Sequence, residues 1–257
     1  MVSTSSVNQV DSSVIETISL LGIPVHRVTM EGAVNQIASF VREGGSHQVI
    51  TADASSLVIA QTDPEFREII KRADLVTADG AGLLWAARRT GRAFPERVSG
   101  VDLVDRLCGQ AAEKGFRLCF IGASPGVAET AARRMGARYP GCHIVFTRDG
   151  YFKPEEEPQI VRQIQAAQPD VVFAALGMPK QEKWLARRRQ ELGAPVLVGV
   201  GGSFDVLSGN VRRAPLWLRK RNLEWFWRLI LNPRKIVKVK TLPRFVWLVL
   251  RSQRAGS

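Results

Sequence analysis

Residues 169–215 read PDVVFAALGMPKQEKWLARRRQELGAPVLVGVGGSFDVLSGNVRRAP and decide the fold. They contain two short apolar runs, Val171 to Leu176 and Val196 to Val200, and each run stops at a glycine. Continuous apolar runs of this length are typical of strands that are buried on both faces, as in parallel sheets. Pro179 opens the charged segment between them, and proline is common at the first position of a helix. The stretch therefore predicts one right-handed strand–helix–strand crossover unit.

The same alternation of strands and helices extends along the chain from Gln48 to Val200. Further apolar runs, each followed by a helical pattern, predict strands at residues 48–51, 75–77, 116–121 and 144–146. Another strand region is predicted earlier, from Ile18 to Val28, with interruptions at Gly22 and Pro24. The fold class that these patterns indicate is α/β, a Rossmann-like, doubly wound and mostly parallel sheet of about six strands.

Charge divides the chain near residue 209. From Asn210 to Ser257 there are thirteen basic residues and one acid, Glu224, so this segment carries the whole formal excess of +12. It also contains four of the six tryptophans, Trp217, Trp225, Trp227 and Trp247. We predict three parts: a polar, Ser-rich, disordered segment at residues 1–17, a Rossmann-like domain at 18–209 and a basic, aromatic-rich helical appendage at 210–257.

Cysteine usage and the N-terminus indicate the compartment. Cys108, Cys119 and Cys142 have neither paired nor metal-type spacing, which is typical of buried thiols in a reducing environment. The N-terminus has no basic start followed by an apolar stretch, and the sequence contains no run of about 18 apolar residues. We expect a cytoplasmic protein that is neither secreted nor membrane-spanning.

Polar side chains gather where the predicted strands end and helices begin, which is where open α/β sheets bind ligands. An isolated carboxylate among hydroxyl, amide and guanidinium groups suits a general base that acts on an alcohol beside an anionic leaving group. Helix caps and first-turn charges are the alternative interpretation for each residue taken singly. The residues are Thr51, Asp53, Asp79, Gly122, Lys180, Gln181, Glu182, Gly201, Ser203 and Asp205, with Arg97 on a loop that can reach them.

A glycine turn and a missing motif bear on phosphate and metal binding. Residues 122–126, GASPG, follow a strand and lead into a helix, so they could cradle a phosphate at the helix N-terminus. The turn is not GxGxxG, and a plain tight turn is an equal alternative. No two aspartates are separated by a single residue, so the D-x-D arrangement that holds a divalent metal in many sugar-nucleotide enzymes is missing. We expect neither a metal nor another cofactor.

Seven segments of the chain together match one known family. They are, in order, LGIPVHRVTMEGAV, TADG, RVSGVDL, GYF, LGMPKQE, VGVGGSFDVLSG and RAPLWLRKRNLEW. With these segments the chain resembles the WecG/TagA/CpsF glycosyltransferases over about residues 20–245. The last three segments are the most specific part of the resemblance.

The resemblance implies an inverting, metal-independent hexosyltransferase with a Rossmann-like catalytic core and a C-terminal appendage. Such an enzyme moves a sugar from a UDP-sugar to a saccharide that is linked to polyprenyl diphosphate, typically undecaprenyl diphosphate. The reaction belongs to the assembly of bacterial surface polysaccharides, exopolysaccharides or teichoic-acid linkages.

The same resemblance implies roles for individual residues. Asp79 would be the general base, Thr51 and Gln181 would hold the sugars, and Asp205 would bind the nucleotide. Arginines would face the diphosphates. The catalytic candidates are Asp79, Thr51 and Arg97, and the substrate-binding candidates are Asp53, Gly122, Lys180, Gln181, Glu182, Gly201, Asp205, Arg212, Arg213 and Arg219.

The segment Thr51-Ala52-Asp53 departs from the family pattern, which usually has asparagine in the third place. A carboxylate only accepts hydrogen bonds, whereas an amide both donates and accepts them. The sequence therefore leaves open whether the donor sugar is the N-acetylmannosamine that several relatives transfer.

The appendage has three interpretations. Basic and aromatic residues together suit the headgroup region of an anionic bilayer, where each cation contributes about 1 kcal/mol. A nucleic acid would bind a similar surface, and packing of the aromatics onto the core with solvated charges is the third interpretation. We favour peripheral attachment to the inner face of the cell membrane, with no nucleic-acid partner.

Two other function classes share features of this sequence. A nicotinamide-dependent oxidoreductase has a similar fold but needs GxGxxG and an acid about 20 residues later, which this chain lacks in the right place. A non-catalytic nucleotide-binding module would not need Asp79 beside Thr51. These classes are discriminated by which nucleotide raises the melting temperature of the protein: UDP, NAD or neither. A homo-oligomer is compatible with the sequence, which leaves the number of copies open.

Overall fold

The structure of the protein is a computed structural model that describes residues 15–215, 217–218, 227 and 237–254. The disorder predicted for residues 1–17 falls mainly on residues outside this set, although Thr17 already belongs to a strand. Arg219 and Trp225, which we predicted to bind diphosphate and membrane, also lie outside the described residues.

A β-hairpin opens the described chain. It consists of β1 (Thr17–Leu20) and β2 (Ile23–His26), which pair antiparallel in a sheet of their own. Leu21 and Gly22 have φ angles of 52° and 77°, and a two-residue hairpin turn of the I′ type requires positive φ at both positions. The sequence predicted a single strand region here, so the turn at Gly22 corrects that prediction.

Six parallel strands form the central sheet. In chain order they are β3 (His47–Ala52), β4 (Leu75–Ala78), β5 (Arg117–Gly122), β6 (His143–Arg148), β7 (Val171–Ala175) and β8 (Val196–Gly199). Their spatial order is β4-β3-β8-β7-β5-β6, so the two strands of the predicted crossover unit are neighbours, with Val171 opposite Val196. The predicted α/β class and parallel sheet are confirmed.

Helices fill the connections between the strands. Two of them begin at hydroxyl N-caps: the Thr29 hydroxyl accepts from the Gly32 N–H, and the Ser99 hydroxyl accepts from the Asp102 N–H. The described helices are α1 (Met30–Glu43), α2 (Ala54–Ala60), α3 (Pro64–Arg72), α4 (Ala81–Arg89), α5 (Gly100–Lys114), α6 (Val127–Arg138), α7 (Glu157–Ala167), α8 (Lys180–Arg188), α9 (Ser203–Leu207) and α10 (Val237–Arg254).

Both faces of the sheet are covered, as a doubly wound fold requires. Side chains alternate along each strand, and in β7 Val171 and Phe173 join one apolar cluster while Val172 and Ala174 join another. The helices that pack on the face of the first cluster are α1, α5, α6 and α9. Those that pack on the opposite face are α2, α3, α4, α7, α8 and α10. The connections that follow the neighbouring strands β3 and β8 therefore leave toward opposite faces, which places a ligand-binding crevice at the carboxyl ends of these strands.

Strand β4 lies at an edge of the sheet, and the hairpin covers it. The Val76 N–H donates to His26 Nδ1 of β2 over 2.9 Å, and the Val98 N–H donates to the Ala78 carbonyl over 2.9 Å. Burial lowers the pKa of His26, which keeps the ring neutral and able to accept this hydrogen bond. An edge strand with satisfied backbone groups is protected from pairing with other chains.

Helix α10 packs against the core beside α2 and α4. Phe245 is fully buried and shares an apolar cluster with Leu57 of α2 and Leu83 of α4. The hydroxyl of Thr241 lies 3.0 Å from that of Ser55. The helical C-terminal part that the sequence predicted is therefore docked on the α/β fold, and the boundary at residue 209 stays a prediction. Within the described residues, no helix combines the length and apolar character needed to cross a membrane.

A glycine allows the close approach of these three helices. A Cβ on Gly82 of α4 would lie 3.0 Å from the Ala54 Cβ of α2 and 3.4 Å from the Phe245 ring of α10. A Cβ at this position would require Ala54 to shift by a few tenths of an ångström and would press on the Phe245 ring. The contact lies immediately after Asp53 and Asp79 in the chain, so α10 docks next to the predicted active site.

Candidate active site

Thr51 joins the carboxyl ends of β3 and β8. Its hydroxyl donates to the Gly199 carbonyl over 3.0 Å. The N-terminal end of α5 lies directly over this contact, since a Cβ on Gly100 would be 3.3 Å from Thr51 Oγ1 and 3.1 Å from Ser203 Oγ. Glycine at the start of α5 thus lets the helix end approach the strand ends closely, and Thr51 lies at the edge of the sheet where the sequence predicted it.

Asp79 follows β4 and contacts the same end of α5. Its backbone N–H donates to the Ala52 carbonyl over 2.7 Å, and its Oδ2 accepts from the Gly100 N–H over 3.1 Å. A helix N-terminus carries a partial positive charge and stabilises an anion. The arrangement therefore holds the Asp79 carboxyl group at the N-terminus of α5, in the position where the sequence predicted a general base.

Asp53 has a structural role at this edge. It is the N-cap of α2: its Oδ1 accepts from the Ser56 N–H over 2.9 Å and its own N–H donates to Ser56 Oγ over 2.9 Å. A Cβ on Gly80 would lie 3.9 Å from the Asp53 Cβ, so Asp53 lies beside the loop that carries Asp79. Both interpretations from the sequence fit, because one oxygen caps the helix while the residue remains at the edge of the sheet.

Gln181 and Glu182 lie beneath the carboxyl end of β8. Gln181 Oε1 accepts from the Gly201 N–H over 3.1 Å, and Gln181 Nε2 donates to Glu182 Oε1 over 2.7 Å. Both side chains are buried, at 3% and 1% exposure, and a Cβ on Gly199 would come within 2.8 Å of each. Glu182 is buried beneath Gln181 and does not face solvent at the strand ends. Its hydrogen bond fixes the orientation of the Gln181 amide.

Arg97 and Arg213 meet at Asp102, in the first turn of α5. Arg213 Nη2 lies 2.6 Å from Asp102 Oδ1, Arg97 Nη2 lies 3.9 Å from Asp102 Oδ2, and the Ser99 hydroxyl donates to Oδ2 over 2.5 Å. Burial opposes ionisation of Asp102, but hydrogen bonds from Arg213 and Ser99 and the charges of both arginines outweigh it, so the pKa of Asp102 lies below its ordinary value. Arg212 is exposed, and its carbonyl accepts from Trp227 Nε1 over 3.1 Å.

A second group lies at the ends of β5 and β7. Gly122 has a φ of 126°, and a Cβ there would lie 2.5 Å from the Ala175 backbone, so this position accepts only glycine. The turn leads to Gly126, the N-cap of α6, where no side chain caps the helix. Lys180 begins α8, with its ammonium 5.7 Å from the centroid of the Phe152 ring. These groups line the same edge of the sheet as Asp79 but follow different strands.

The structure thus gathers Thr51, Asp53, Asp79, Gln181 and Gly201 at the ends of β3, β4 and β8, and it places Asp205 in the first turn of α9. Within the described residues, no group of three His, Cys, Asp or Glu side chains is arranged to hold a metal ion. Asp102 was missed by the sequence analysis. The motif RVSGVDL contains the only sequence signal for Asp102, an acid three residues after Ser99. That spacing indicates the start of a helix, but it does not reveal that Asp102 pairs with two arginines.

The residues of these motifs lie together at the carboxyl ends of the strands. Comparison with known families agrees with this arrangement. The model of the Glycosyl transferase WecG/TagA/CpsF family matches residues 18–257. The chain belongs to the WecG/TagA/CpsF family. It is a glycosyltransferase, and the alternatives of an oxidoreductase or a non-catalytic binding module are set aside.

Named WecG/TagA/CpsF relatives cover most of the chain. A relative from Bacillus spizizenii is 35% identical over 81% of this chain and 80% of its own, and one from Bacillus subtilis is 34% identical over 80% of each. A relative from Staphylococcus aureus is 29% identical over 92% of this chain and 93% of its own. All three are named N-acetylglucosaminyldiphosphoundecaprenol N-acetyl-beta-D-mannosaminyltransferase.

Proposed function

We propose that this glycosyltransferase moves a hexose from a UDP-sugar, with inversion and without a metal, to a saccharide on undecaprenyl diphosphate during the assembly of a bacterial surface polysaccharide. The observation that carries the proposal is the placement of Asp79 on the first amide of α5, on the helix turn that also holds the Arg97–Asp102–Arg213 cluster. The names of the three relatives support a lipid-linked acceptor.

The proposed chemistry needs one base and one anion-binding group. Asp79 takes the proton from an acceptor hydroxyl, and that oxygen attacks the anomeric carbon on the face opposite UDP. The bond from the anomeric carbon to the diphosphate oxygen breaks, and UDP leaves with the electron pair. Guanidinium groups of Arg97 and Arg213 stabilise the charge that develops on the diphosphate. Thr51 and Gln181 position the sugars, and Asp205 contacts the nucleotide.

The proposed transfer is tested directly by product mass. We would incubate the protein with a panel of UDP-sugars and a lipid-diphosphate-linked N-acetylglucosamine, and we expect one donor to give an acceptor heavier by one sugar residue. UDP, but not NAD, should raise the melting temperature. A protein that transfers no sugar from any donor in the panel, and that NAD stabilises, would contradict the proposal.

Transfer is expected to continue in EDTA. Without a divalent cation, the negative charge on departing UDP must be stabilised by the arginines at the start of α5 and by helix N-termini. We would measure initial rates after dialysis against the chelator and after adding magnesium or manganese. A rate that falls in EDTA and returns with either metal would show that the reaction requires a cation.

Asp53→Asn is expected to change the preferred donor sugar. Oδ1 of Asp53 already accepts from Ser56, and the described residues donate no hydrogen bond to Oδ2, which leaves that oxygen for the substrate. The substitution replaces this hydrogen-bond acceptor by an N–H group. A hydrogen bond to a charged group contributes about 1.5–3 kcal/mol. The kcat/KM for the UDP-sugar that wild type prefers should therefore fall roughly 10- to 100-fold relative to that for an N-acetylated UDP-sugar.

The control for Asp53→Asn is another helix cap. Asparagine caps a helix about as well as aspartate, so the melting temperature of the variant should stay close to wild type. Asp63→Asn makes the same substitution at the N-cap of α3, where Asp63 accepts from the Phe66 N–H and also pairs with Lys183 of α8. It should leave the ranking of donors unchanged. Equal rankings for wild type and Asp53→Asn would show that Oδ2 does not select the donor.

We further propose that the C-terminal part holds the enzyme at the inner face of the cell membrane. One face of α10 is buried, through Phe245 and Val249, while Trp247 and Leu250 are 54% and 38% exposed. Arg251 lies over the Trp247 ring at 5.1 Å, and Arg244 is exposed on the same side of the helix. An indole among cations on an outward helix face suits an anionic headgroup layer better than packing alone.

A further inference from the structure

Two carboxylates meet at the first turn of α5. Asp79, from the loop after β4, accepts from the Gly100 N–H. Asp102, which belongs to α5 and follows Gly100 by two residues, pairs with Arg213 and Arg97. We propose that Asp102 is a positioning residue: it holds Arg213, and more loosely Arg97, beside Asp79 in the geometry that binds the diphosphate group of a substrate. This inference rests on the proposed function, and nothing in the sequence pattern assigned Asp102 such a role.

Arg213 and the proposed base both bind the first turn of α5, which rises about 5.4 Å and contains Gly100 and Asp102. The 2.6 Å contact from Arg213 to Asp102 therefore holds its guanidinium at the same end of α5 as Asp79. A charge-assisted contact of this length is among the stronger and better-oriented hydrogen bonds in proteins.

Two guanidinium groups, those of Arg97 and Arg213, face the carboxylate of Asp102. The Nε of Arg213 is buried and has no hydrogen-bond partner among the described residues. Buried N–H groups are normally paired, and a guanidinium matches the oxygens of a phosphate group. A diphosphate would supply the missing acceptor.

Arg213 needs an anchor because it comes from a segment without regular structure. Residues 208–215 follow α9 and are held at their start by the Arg134 side chain, which donates to the Ser208 carbonyl over 2.8 Å, and by the Val211 N–H, which donates to the Asp205 carbonyl over 2.9 Å. Asp102 provides the contact at the other end. Without it, the long arginine side chain would regain its rotamer freedom, which binding would then have to restrict.

The diphosphate has two sources, the UDP-sugar and the lipid-linked acceptor, and the two share the chemistry that Arg213 would recognise. The binding experiments separate them. We would measure UDP and uridine binding by calorimetry and the KM for the lipid-diphosphate acceptor. A weaker affinity of Asp102→Asn for UDP, with uridine unchanged, assigns the nucleotide, whereas a raised acceptor KM with unchanged UDP affinity assigns the acceptor.

A double-mutant cycle tests the positioning role itself. We expect Asp102→Asn and Arg213→Ala each to lower kcat/KM on the order of 10²-fold, the usual effect of a misplaced binding group. Combined, they should cost no more than Arg213→Ala alone, because Asp102 acts through Arg213. Asp102→Glu, which keeps the charge, should recover part of the loss. Increasing salt should weaken the difference between wild type and Asp102→Asn.

Asp105→Asn is the matched control. Asp105 lies on the same helix and pairs with an arginine at a similar distance, Arg138 at 2.9 Å, but away from the edge of the sheet. Its removal should leave kcat/KM and UDP affinity unchanged. The inference is overturned if Asp102→Asn retains wild-type kcat/KM and ligand affinities, or if its effect adds fully to that of Arg213→Ala. A wild-type protein without transfer activity would instead count against the proposed function, while UDP binding would still test Asp102.

Discussion

Asp79→Asn is expected to lower turnover roughly 10²- to 10⁴-fold, the usual contribution of a positioned general base. Asparagine keeps an oxygen for the Gly100 N–H, so α5 should stay docked over Thr51. It cannot take up a proton from the acceptor hydroxyl. We would measure kcat from product mass and UDP affinity by calorimetry, and only the first should change.

The control for this substitution lies at the amino ends of the strands, opposite to the end where Asp79 lies. Asp170 precedes β7 and accepts from the Arg117 N–H over 2.7 Å, so it resembles Asp79 in holding one backbone amide. Asp170→Asn should leave turnover unchanged. Near wild-type turnover in Asp79→Asn would remove Asp79 from the role of base, and another residue at the edge of the sheet would have to be sought.

Replacement of the outward face of α10 is expected to release the enzyme from anionic vesicles. The variant carries Arg244→Gln, Trp247→Gln and Arg251→Gln, which are exposed and contribute nothing to the cluster around Phe245. Each cation near the surface contributes about 1 kcal/mol, so two account for roughly a 30-fold loss of partitioning before the indole is counted. Transfer to acceptor embedded in vesicles should fall accordingly.

Two comparisons make this experiment decisive. With a short-chain, water-soluble acceptor, the variant should transfer sugar as fast as wild type, because the residues around Asp79 are untouched. A charge-matched control, Arg133→Gln with Arg162→Gln, removes two exposed cations from α6 and α7 and should still bind vesicles. Should the α10 variant bind vesicles and transfer to embedded acceptor like wild type, membrane attachment must lie elsewhere in the chain.

Much of the fold follows from local patterns. The apolar runs that became β7 and β8, the caps Thr29 and Ser99, and the glycines at strand ends are all visible within short windows of sequence. The turn of the N-terminal hairpin was missed because Gly22 and Pro24 looked like interruptions of one strand. A two-residue turn needs only positive φ, which a pattern of apolar residues does not reveal.

The remaining features depend on contacts between distant residues. Thr51 meets Gly199 across 148 positions, and Arg213 meets Asp102 across 111. In sequence, Asp102 looks like an ordinary first-turn acid, and Phe245 looks like one apolar residue in a basic tail. Their partners are set by the order of strands in the sheet and by the docking of α10, which residue spacing along the chain does not encode.

Helix α10 lies between the catalytic fold and the proposed membrane surface, so its thickness sets the distance of the active site from the bilayer. One side of the helix packs against α2 and α4, which begin next to Asp53 and Asp79, while the other presents Trp247. A helix with its side chains is about 10–12 Å across. If Trp247 lies at the headgroups, α10 acts as a spacer of that thickness, and the reacting atoms lie only a short way above the bilayer. A lipid-anchored acceptor would then present the sugar nearest its diphosphate, whereas the far end of a long saccharide would extend past the site. The geometry thus suits an enzyme that adds sugar near the start of a chain.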